Sequence, residues 1–395
     1  MSFNIALSGI NSINSQLDAI SNNIANSGTY GFKSSRVNFS AMYAGSEPTG
    51  TEVSSMTQSL EVGGGVVTTG RGLDASIQGR GYFVSRDTSG AEVYSRVGIF
   101  DTDKNGYLVD DFNRRVQGYA AIPGSTALGD MGDLQVPTGQ IPAQATTTLD
   151  YVGNLSADWT TPTVATFDHN DYQSYNGSIV SVVYDSLGVQ HSVTQYFVKT
   201  NIDQMTVHYT LDGNDQATTT VLDFDTNGRL ATPTGAVPLA FGSPTGAAPL
   251  NVAFNYAGTT QSAGEATTST NKPNGYASGT FLGVQLSPDG SVLAQYSNGE
   301  KQSIGTLALA TFPAENSLIP VSNTSWTTSA DSGPALYSTP GSGTAGELTP
   351  GALEQSNVDM TAQLVDLMTA QRNYQANTKA ISAQNEMMQS LMQAL

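Results

Sequence analysis

The 395-residue sequence has no cysteine, three histidines and few charged residues. Without cysteine it has no disulfide, thiolate metal site or cysteine nucleophile, and three histidines leave few ligands for zinc or copper. Its 15 Lys and Arg are outnumbered by 33 Asp and Glu, for a net charge of -18. Because phosphate backbones and anionic lipids are bound by basic side chains, this composition argues against nucleic-acid and membrane-surface partners.

Targeting and membrane segments are also missing from the sequence. The first 32 residues carry one charge, Asp18, and lack the basic and continuous apolar parts of a secretory signal. No run approaches the ~18 apolar residues that cross a bilayer. We therefore expect no membrane insertion, and a protein that is either cytosolic or exported without a cleaved signal peptide.

The N-terminal segment has the apolar spacing of a helix. The spacing predicts a helix from about Ser2 to residues 26–28, where Asn and Gly favour a helix end. The Ser and Asn residues between the apolar positions are poor helix formers, so this helix is expected to need a packing partner. Its apolar residues recur every three or four positions, the a/d pattern of coiled coils, at Phe3, Ala6, Ile10, Ile13, Leu17, Ile20 and Ile24.

The C-terminal segment repeats this pattern over a longer stretch. Ser356 and Asp359 form a capping-box signature, and the absence of Gly and Pro from there to Leu395 predicts one long helix. The d positions of its heptads are Leu367, Tyr374, Ile381, Met388 and Leu395. The a positions, which are polar in the middle, are Leu364, Gln371, Thr378, Asn385 and Met392.

We expect this C-terminal helix to pack against residues 10–24 of the same chain and against neighbouring chains. A seam with polar a positions would make a weak isolated dimer, and the near absence of charged flanking pairs suits contact on several sides. The alternative is a two-helix hairpin in the core of one globular unit.

The middle of the chain is predicted to be β-rich. Short apolar runs alternate with tight turns such as residues 103–106, and residues 179–199 read as a hairpin. A second hairpin is expected around residues 212–215, and residues 123–148 read as a linker without periodicity. Residues 150–277 hold 11 acidic and 3 basic side chains, so we expect this part to face solvent.

The predicted fold class is α+β and multi-domain, with paired N- and C-terminal helices flanking nested, discontinuous, mainly antiparallel β domains. The helices are coiled-coil-like, and the chain enters and leaves each β domain in nested order. The expected parts are a terminal helical core of 1–28 plus 357–395, a linking region of 29–72 plus 350–356, an inner β domain of 73–149 plus 278–349, and an outer β domain of 150–277.

Candidate chemistry in the sequence is weak. Residues 101–106 and 223–228 match the opening of an EF-hand loop, but Phe112 and Thr234 stand where the bidentate Glu belongs, so hairpin turns are favoured. Residues 168–171 are interpreted as an exposed polar loop. P-loop, dinucleotide and nucleophile-elbow motifs are missing. We expect no enzyme activity, no metal site and no cofactor.

Two long motifs stand near the ends of the chain. The first is Ser21-Asn22-Asn23-Ile24-Ala25-Asn26 followed by Thr29-Tyr30-Gly31-Phe32-Lys33, and the second is Leu353-Glu354-Gln355-Ser356-Asn357-Val358-Asp359-Met360. They resemble the terminal motifs of the bacterial flagellar rod and hook axial protein family. The β segments at 79–83 and 94–100 resemble the β domain of that family, and residues 290–312 with the chain length are similar to its hook branch. The resemblance spans the chain and is weakest over 150–277.

The resemblance implies a structural subunit of the flagellar hook. Such a subunit is expected to be exported unfolded by the flagellar type III apparatus and to polymerise into a curved, flexible tube outside the cell. As a universal joint, that tube would transmit torque from rod to filament and enclose the export channel. The implied partners are other copies of the chain, the rod, hook-cap and hook–filament junction proteins, and the export apparatus. A distal rod protein and an extracellular β-rich adhesin remain the alternatives.

The residues expected to carry assembly lie at both ends of the chain. In the N-terminal helix they are Phe3, Ile10, Ile13, Leu17, Ile20 and Ile24, and in the C-terminal helix they are Leu364, Leu367, Tyr374, Ile381, Met388, Met392 and Leu395. The resemblance adds the motif residues Asn22, Asn23, Asn26, Gly31 and Phe32.

Limited proteolysis of the free subunit tests whether both ends need assembly to become ordered. The weak helix propensity of 2–26 and the polar seam of 357–395 predict disorder before assembly. Dilute protease should remove both ends quickly and leave 73–349 resistant. Termini that are cleaved as slowly as the β region would contradict this expectation.

Overall fold

The computed structural model describes residues 2–122, 125 and 127–394. The chain divides into two compact units, each discontinuous in sequence. The first contains Met1–Thr138, Gly283–Ala294 and Lys301–Leu395, and the second contains Gly139–Leu282 and Gln295–Glu300. The four-part division expected from the sequence stays a prediction.

The elements follow one another in the following order. Up to residue 138 they are α1 (Ser2–Ala25), β1 (Ser35–Ala44), β2 (Glu47–Gln58), β3 (Val66–Thr68), β4 (Ala75–Gln78), β5 (Tyr82–Arg86), β6 (Glu92–Ser95), β7 (Phe100–Thr102), β8 (Leu108–Asp110), β9 (Arg115–Ala121) and β10 (Leu128–Asp133). From there to residue 273 they are β11 (Thr148–Ser156), β12 (Gly177–Tyr184), β13 (Gln190–Asn201), β14 (Gln204–Leu211), β15 (Asn214–Asp215), β16 (Thr220–Phe224), β17 (Leu230–Thr232), β18 (Val237–Ala240), β19 (Asn251–Asn255), β20 (Thr260–Ser262) and β21 (Thr267–Pro273). The last elements are β22 (Phe281–Leu286), β23 (Ser291–Tyr296), β24 (Lys301–Leu307), β25 (Leu309–Thr311), a short 3-10 helix (Glu315–Ser317), β26 (Ile319–Val321), β27 (Ser325–Thr327), β28 (Leu336–Ser338), β29 (Glu347–Pro350), β30 (Ala352–Glu354) and α2 (Met360–Ala394).

Strand β5 lies at the centre of the β body of the first unit. It pairs antiparallel with β6, β9 and β25. Because successive side chains of a strand point to opposite faces, Tyr82 and Phe83 enter two different apolar clusters. Phe83 meets Phe100 edge-on with ring centroids 5.1 Å apart, and Tyr82 meets Trp326 at 5.6 Å. The body is therefore packed on both sides of β5.

The β body is completed by strands that lie just before the C-terminal helix. β29 pairs with β4, and β30 pairs with β3, both antiparallel. Gly64 leaves room for this approach, since a Cβ there would lie 1.8 Å from the backbone oxygen of Gln355. The protease-resistant fragment is thus expected to reach residue 354 rather than 349.

The second unit consists of two sheets around one apolar core. One sheet has the order β18-β19-β11-β20 with β21 on β11, and the other has the order β12-β13-β14-β16-β17 with β15 on β14. The predicted hairpin of residues 179–199 is confirmed as β12 and β13. In the core, Tyr209 and Tyr256 share a hydrogen bond of 2.7 Å between their hydroxyls, and Tyr256 donates to Gln195 Oε1.

Two local predictions were wrong. The linker expected at 123–148 contains β10, which pairs with β9, and Gln117 donates from Nε2 to Asp133 Oδ1 at 2.7 Å. Glycines within β10 and partial exposure hide the alternation that marks a strand. Ser356 does not cap α2: Asp359 does, since its Oδ1 accepts from the backbone N–H groups of Thr361 and Ala362.

Two histidines of the second unit sit in opposite environments. His191 Nδ1 lies 2.7 Å from Asp212 Oδ2, and its Nε2 lies 3.4 Å from the buried Asp185 Oδ2. The hydrogen bond with Asp212, aided by Asp185, raises the pKa of His191 above 6.5 despite burial. His208 stacks on Phe167 with centroids 4.2 Å apart, and burial lowers its pKa.

These opposite shifts predict different titrations for the two histidines. NMR of the imidazole C–H signals should place the pKa of His191 above 6.5 and that of His208 below it. A raised folded-state pKa gives stability that is present below the unfolded pKa and lost as pH rises through the folded value. His191→Asn should therefore destabilise the protein more at pH ~5.5 than at pH ~8.5. Equal losses at both values would contradict this assignment.

Candidate assembly core

The two terminal helices pack against each other in an antiparallel pair. Near one end, Asn23 Nδ2 donates to Gln363 Oε1 at 3.0 Å. Nearer the other end, Gly9 faces Asn377, whose Nδ2 would lie 3.1 Å from a Cβ added to that glycine. Between these contacts a small apolar cluster forms, in which Ile13, Ile20 and Ala370 are buried and Leu17, Ile24 and Leu367 are partly buried.

On α2, the a positions of this seam lie one residue earlier than predicted from the heptad. Leu367 and Ile381, two predicted d positions, are half-buried, but the predicted a positions are exposed. The less exposed positions lie one residue earlier, at Gln363, Ala370, Asn377 and Gln384. The small residues Gly9 and Ala370 let α1 and α2 approach closely. A prediction that looks only for large apolar residues does not detect such positions.

Much of the predicted interface remains exposed on the outside of the pair. Phe3 is 43% exposed, Leu364 48% and Tyr374 37%, and Ile10 is partly exposed. Met388 and Met392 are 57% and 74% exposed, and Leu395 lies outside the described residues. The helices therefore do not form a hairpin inside the core of one globular unit.

A long β-hairpin, β1–β2, lies against α1. Thr51 N donates to Ser8 Oγ at 3.2 Å, and Ser12 Oγ donates to the carbonyl oxygen of Thr51 at 3.3 Å. The sequence prediction missed this hairpin. Val37, Phe39, Ala41 and Tyr43 do alternate in β1, but the pairing strand β2 is largely polar and shows no such alternation. A two-stranded hairpin is marginal alone in water, and α1 supplies one surface that supports it.

The motif asparagines fasten the helix pair to the adjoining chain. Asn23 is 2% exposed, and its side-chain amide exchanges hydrogen bonds with the backbone N–H and C=O of Ser35 at 2.9 and 2.8 Å. Asn357 accepts from Ser34 N at 2.7 Å and donates to the carbonyl oxygen of Ser59 at 2.9 Å. These amides fix where the chain leaves α1 and enters α2.

The other motif residues shape the turn after α1. Asn26 Nδ2 donates to the carbonyl oxygen of Asn22 at 2.9 Å at the helix end. Gly31 has a φ of 66°, and its N–H donates to the carbonyl oxygen of Glu354 at 2.8 Å. A Cβ at Gly31 would lie 3.0 Å from Val97 N, and Phe32, next in the chain, is partly buried.

A buried ion cluster joins the two terminal segments to the β body. We define it as Lys33, Arg96 and Glu354, which are 1%, 3% and 3% exposed. Lys33 Nζ lies 2.6 Å from Glu354 Oε1, and Arg96 Nη1 lies 3.5 Å from Glu354 Oε2. Burial lowers the pKa of Lys33, and the Glu354 carboxylate opposes that shift.

Backbone groups supply further hydrogen bonds to the ion cluster. Gly64 N–H donates to Glu354 Oε1 at 3.0 Å, Lys33 Nζ to the carbonyl oxygen of Val62 at 2.8 Å, and Arg96 Nη2 to that of Gly79 at 2.8 Å. These three charged residues were given no role from the sequence, although Lys33 and Glu354 lie in the terminal motifs and Arg96 lies in the segment 94–100. Their presence in a charge-poor chain, inside long motifs, was the signal that pointed to them.

The EF-hand-like segments are hairpin turns. Asp103 Oδ1 accepts from the N–H groups of Asn105 and Tyr107, and Asp225 Oδ1 accepts from those of Asn227 and Arg229. Across residues 2–122, 125 and 127–394, acidic and histidine side chains form no group of three that could hold a metal ion. Within the same residues, no helix is long and apolar enough to cross a membrane.

Four family models match successive parts of the chain. The one described as "Flagella basal body rod protein" matches residues 3–33, and "Flagellar hook protein FlgE/F/G D1 domain" matches 76–152. "Flagellar basal body protein FlaE D2 domain" matches residues 154–276, and "Flagellar basal body rod FlgEFG protein C-terminal" matches 349–394.

Curated relatives align with the chain from end to end. The flagellar hook protein FlgE of Escherichia coli (strain K12) is 37% identical over 401 residues, which covers 99% of each chain. That of Brucella suis biovar 1 (strain 1330) is 31% identical and covers 98% of this chain and 96% of the relative. A crystal structure of the Helicobacter pylori flagellar hook protein FlgE2 covers 71% of this chain and 98% of its own, with a TM-score of 0.49 and 12% identity.

The terminal helix pair, the β-rich body between the helices and this full-length similarity agree with one another. The relatives do not favour a distal rod protein or an adhesin. With relatives 31 to 37% identical over nearly its whole length, the chain belongs to the flagellar hook protein family and is a structural subunit of the hook, not an enzyme.

Proposed function

We propose that α1 and α2 form the inner contacts of the hook polymer and that their outward apolar faces bind neighbouring copies. The observation that carries this proposal is the exposed stripe of Met360, Leu364, Val365 and Met368, which are 40 to 52% exposed on α2. Large apolar side chains grouped on one helix face are typical of a protein–protein contact.

Growth into a tube follows from the symmetry of such contacts. A subunit that offers two different patches, which repeat without closing, builds an open helical assembly. The predicted interface residues of both helices would then become buried between copies, which would offset the weak helix propensity of α1. In this arrangement the tube encloses the export channel and curves as a universal joint.

The remaining parts of the chain take roles outside the helical core. We propose that residues 29–72 with 350–356 link the helices to an inner β domain of 73–149 with 278–349, and that 150–277 forms the outer domain. The -8 charge of 150–277 suits a hydrated surface. Rod, hook-cap and junction proteins would contact the ends of the tube, and the chain would leave the cell through the flagellar export apparatus without a cleaved signal peptide.

The ion cluster would carry load between the helical core and the β body. Lys33 follows α1, Glu354 precedes α2, and Arg96 belongs to the body, so one carboxylate connects all three. In a tube that transmits torque, force applied to the helices must pass through this junction to reach the β body.

Substitution of Leu364 tests the assembly proposal. Leu364→Glu places a charge on an exposed face, so the free subunit should keep its circular dichroism spectrum and melting temperature. Because burying an unpaired charge between copies is costly, the critical concentration for polymerisation should rise at least ~100-fold. Leu187→Glu is the matched control, since Leu187 is 64% exposed in the second unit. Normal polymerisation of the Leu364→Glu subunit would overturn the proposal.

Removal of the Glu354 charge tests the ion cluster. Glu354→Gln keeps the side-chain volume but leaves Lys33 and Arg96 buried without a counter-charge, which should cost about 3–5 kcal/mol of unfolding free energy. The exposed Glu347→Gln is the control and should cost less than about 0.5 kcal/mol. Urea unfolding followed by Trp326 fluorescence in a Trp159→Phe background reports on the first unit. Equal losses for both variants would contradict a structural role.

A further inference from the structure

The C-terminal end of α2 extends past the start of α1. In the antiparallel pair, Asn23 lies opposite Gln363 and Gly9 opposite Asn377, a step of 14 residues on each helix. If the two helices keep this one-to-one alignment, the first residue of α1 lies opposite residue 384. Residues 385–394 therefore extend beyond residues 2–25 of α1 by about 15 Å. We call this stretch the α2 extension.

The α2 extension is rich in methionine, carries no charge after Glu386 and is otherwise mixed apolar and polar. Met387, Met388 and Met392 are 63%, 57% and 74% exposed. Met388 occupies the same heptad position as Leu367 and Ile381, which are half-buried further back along α2. A short helical stretch is marginal in water unless it packs against a partner. The α2 extension thus continues the seam of the helix pair past the start of α1, where residues 2–25 offer nothing more to pack against.

We propose that Met387, Met388 and Met392 form an oxidation-sensitive contact with a second copy of this chain, so that peroxide oxidation of the free subunit blocks its assembly. This inference rests on the proposed function, which supplies the second copy. The α2 extension is continuous with the α1–α2 seam, and this favours a second copy as its partner. The surface that would match the extension is an apolar helix with few charges. The outward face of α1, with Phe3 and Leu7 at 43% and 42% exposure, has that character.

The chemistry requires a peroxide and no cofactor. The methionine sulfur attacks one peroxide oxygen, the O–O bond breaks and an S=O bond forms. The sulfur loses two electrons, the peroxide is reduced, and with hydrogen peroxide the other oxygen leaves as water. A flexible apolar side chain becomes a polar one, and its burial between copies becomes unfavourable. In the assembled tube the neighbouring copy would cover these sulfurs and slow the reaction.

The fold of the subunit should tolerate this modification. The three side chains are more than half exposed and lie beyond the packed part of the helix pair. By contrast, Met205 is 0% exposed within the core of the second unit. Dilute peroxide is therefore expected to oxidise the α2 extension while the β core stays reduced and folded.

Seeded polymerisation of the full-length subunit before and after mild hydrogen peroxide treatment tests the inference. Peptide mass spectrometry should find one added oxygen on each of the three methionines and none on Met205. The critical concentration should rise at least ~10-fold. Treatment with methionine sulfoxide reductases for both epimers should restore it. Unchanged polymerisation of subunit that is oxidised at all three positions would overturn the inference.

Two variants assign the effect to the α2 extension. Both variants are made in a Met360→Leu, Met368→Leu background, because these two methionines are also exposed on α2. In the triple variant Met387→Leu, Met388→Leu and Met392→Leu, the ratio of critical concentrations with and without peroxide should then fall to about 1. Met56→Leu removes a methionine that is 59% exposed on β2 and should remain sensitive. A triple variant whose polymerisation is still blocked by peroxide, or a Met56→Leu variant whose polymerisation is not, would contradict the assignment. If the triple variant does not polymerise at all, the test rests on whether the reductases restore polymerisation of the oxidised original sequence. Failure of the untreated subunit to polymerise would instead overturn the proposed function.

Discussion

One buried carboxylate, that of Glu354, holds the two ends of this chain to its β body. Lys33 and Arg96 are almost fully buried and both depend on it for a counter-charge. Desolvated charges are tolerated only when they are paired and hydrogen-bonded, so the path of the chain at the junction is narrowly constrained. Around this position, β30 pairs with β3, and Asn357 accepts a hydrogen bond from Ser34 N just before the hairpin. The cluster thus sets the geometry through which the helices and the β body act on each other.

The helix pair is built differently from this junction. Its seam is small and partly polar, with three fully buried side chains, Ile13, Ile20 and Ala370, while large apolar residues face outward. A globular protein would bury those residues within itself; in the proposed assembly they are buried against neighbouring copies. The proposed assembly accounts for the charge-poor ends and the acidic second unit: the ends would be covered by other copies, and the second unit would remain hydrated.

Periodicity in the sequence predicted both terminal helices but not which of their residues meet. The spacing from Ile13 to Ile24 predicted α1 and its packing with α2, and two of the predicted d positions, Leu367 and Ile381, are half-buried. The a positions were displaced by one residue because close approach depends on the small size of Gly9 and Ala370, which carries no apolar signal. The hairpin of β1 and β2 escaped detection because β2 is largely polar and because part of the support for the hairpin comes from α1.

The sequence by itself determined the class of this protein: two amphipathic, charge-poor ends, a β-rich acidic middle and terminal motifs specific enough to indicate the family. These features are local, so they can be read from neighbouring residues. The tertiary structure alone decided which residues meet. Lys33 and Glu354 are 321 positions apart, and no local rule pairs them. Their contact exists because the β strands bring both ends of the chain to one place, where burial makes each charge require the other.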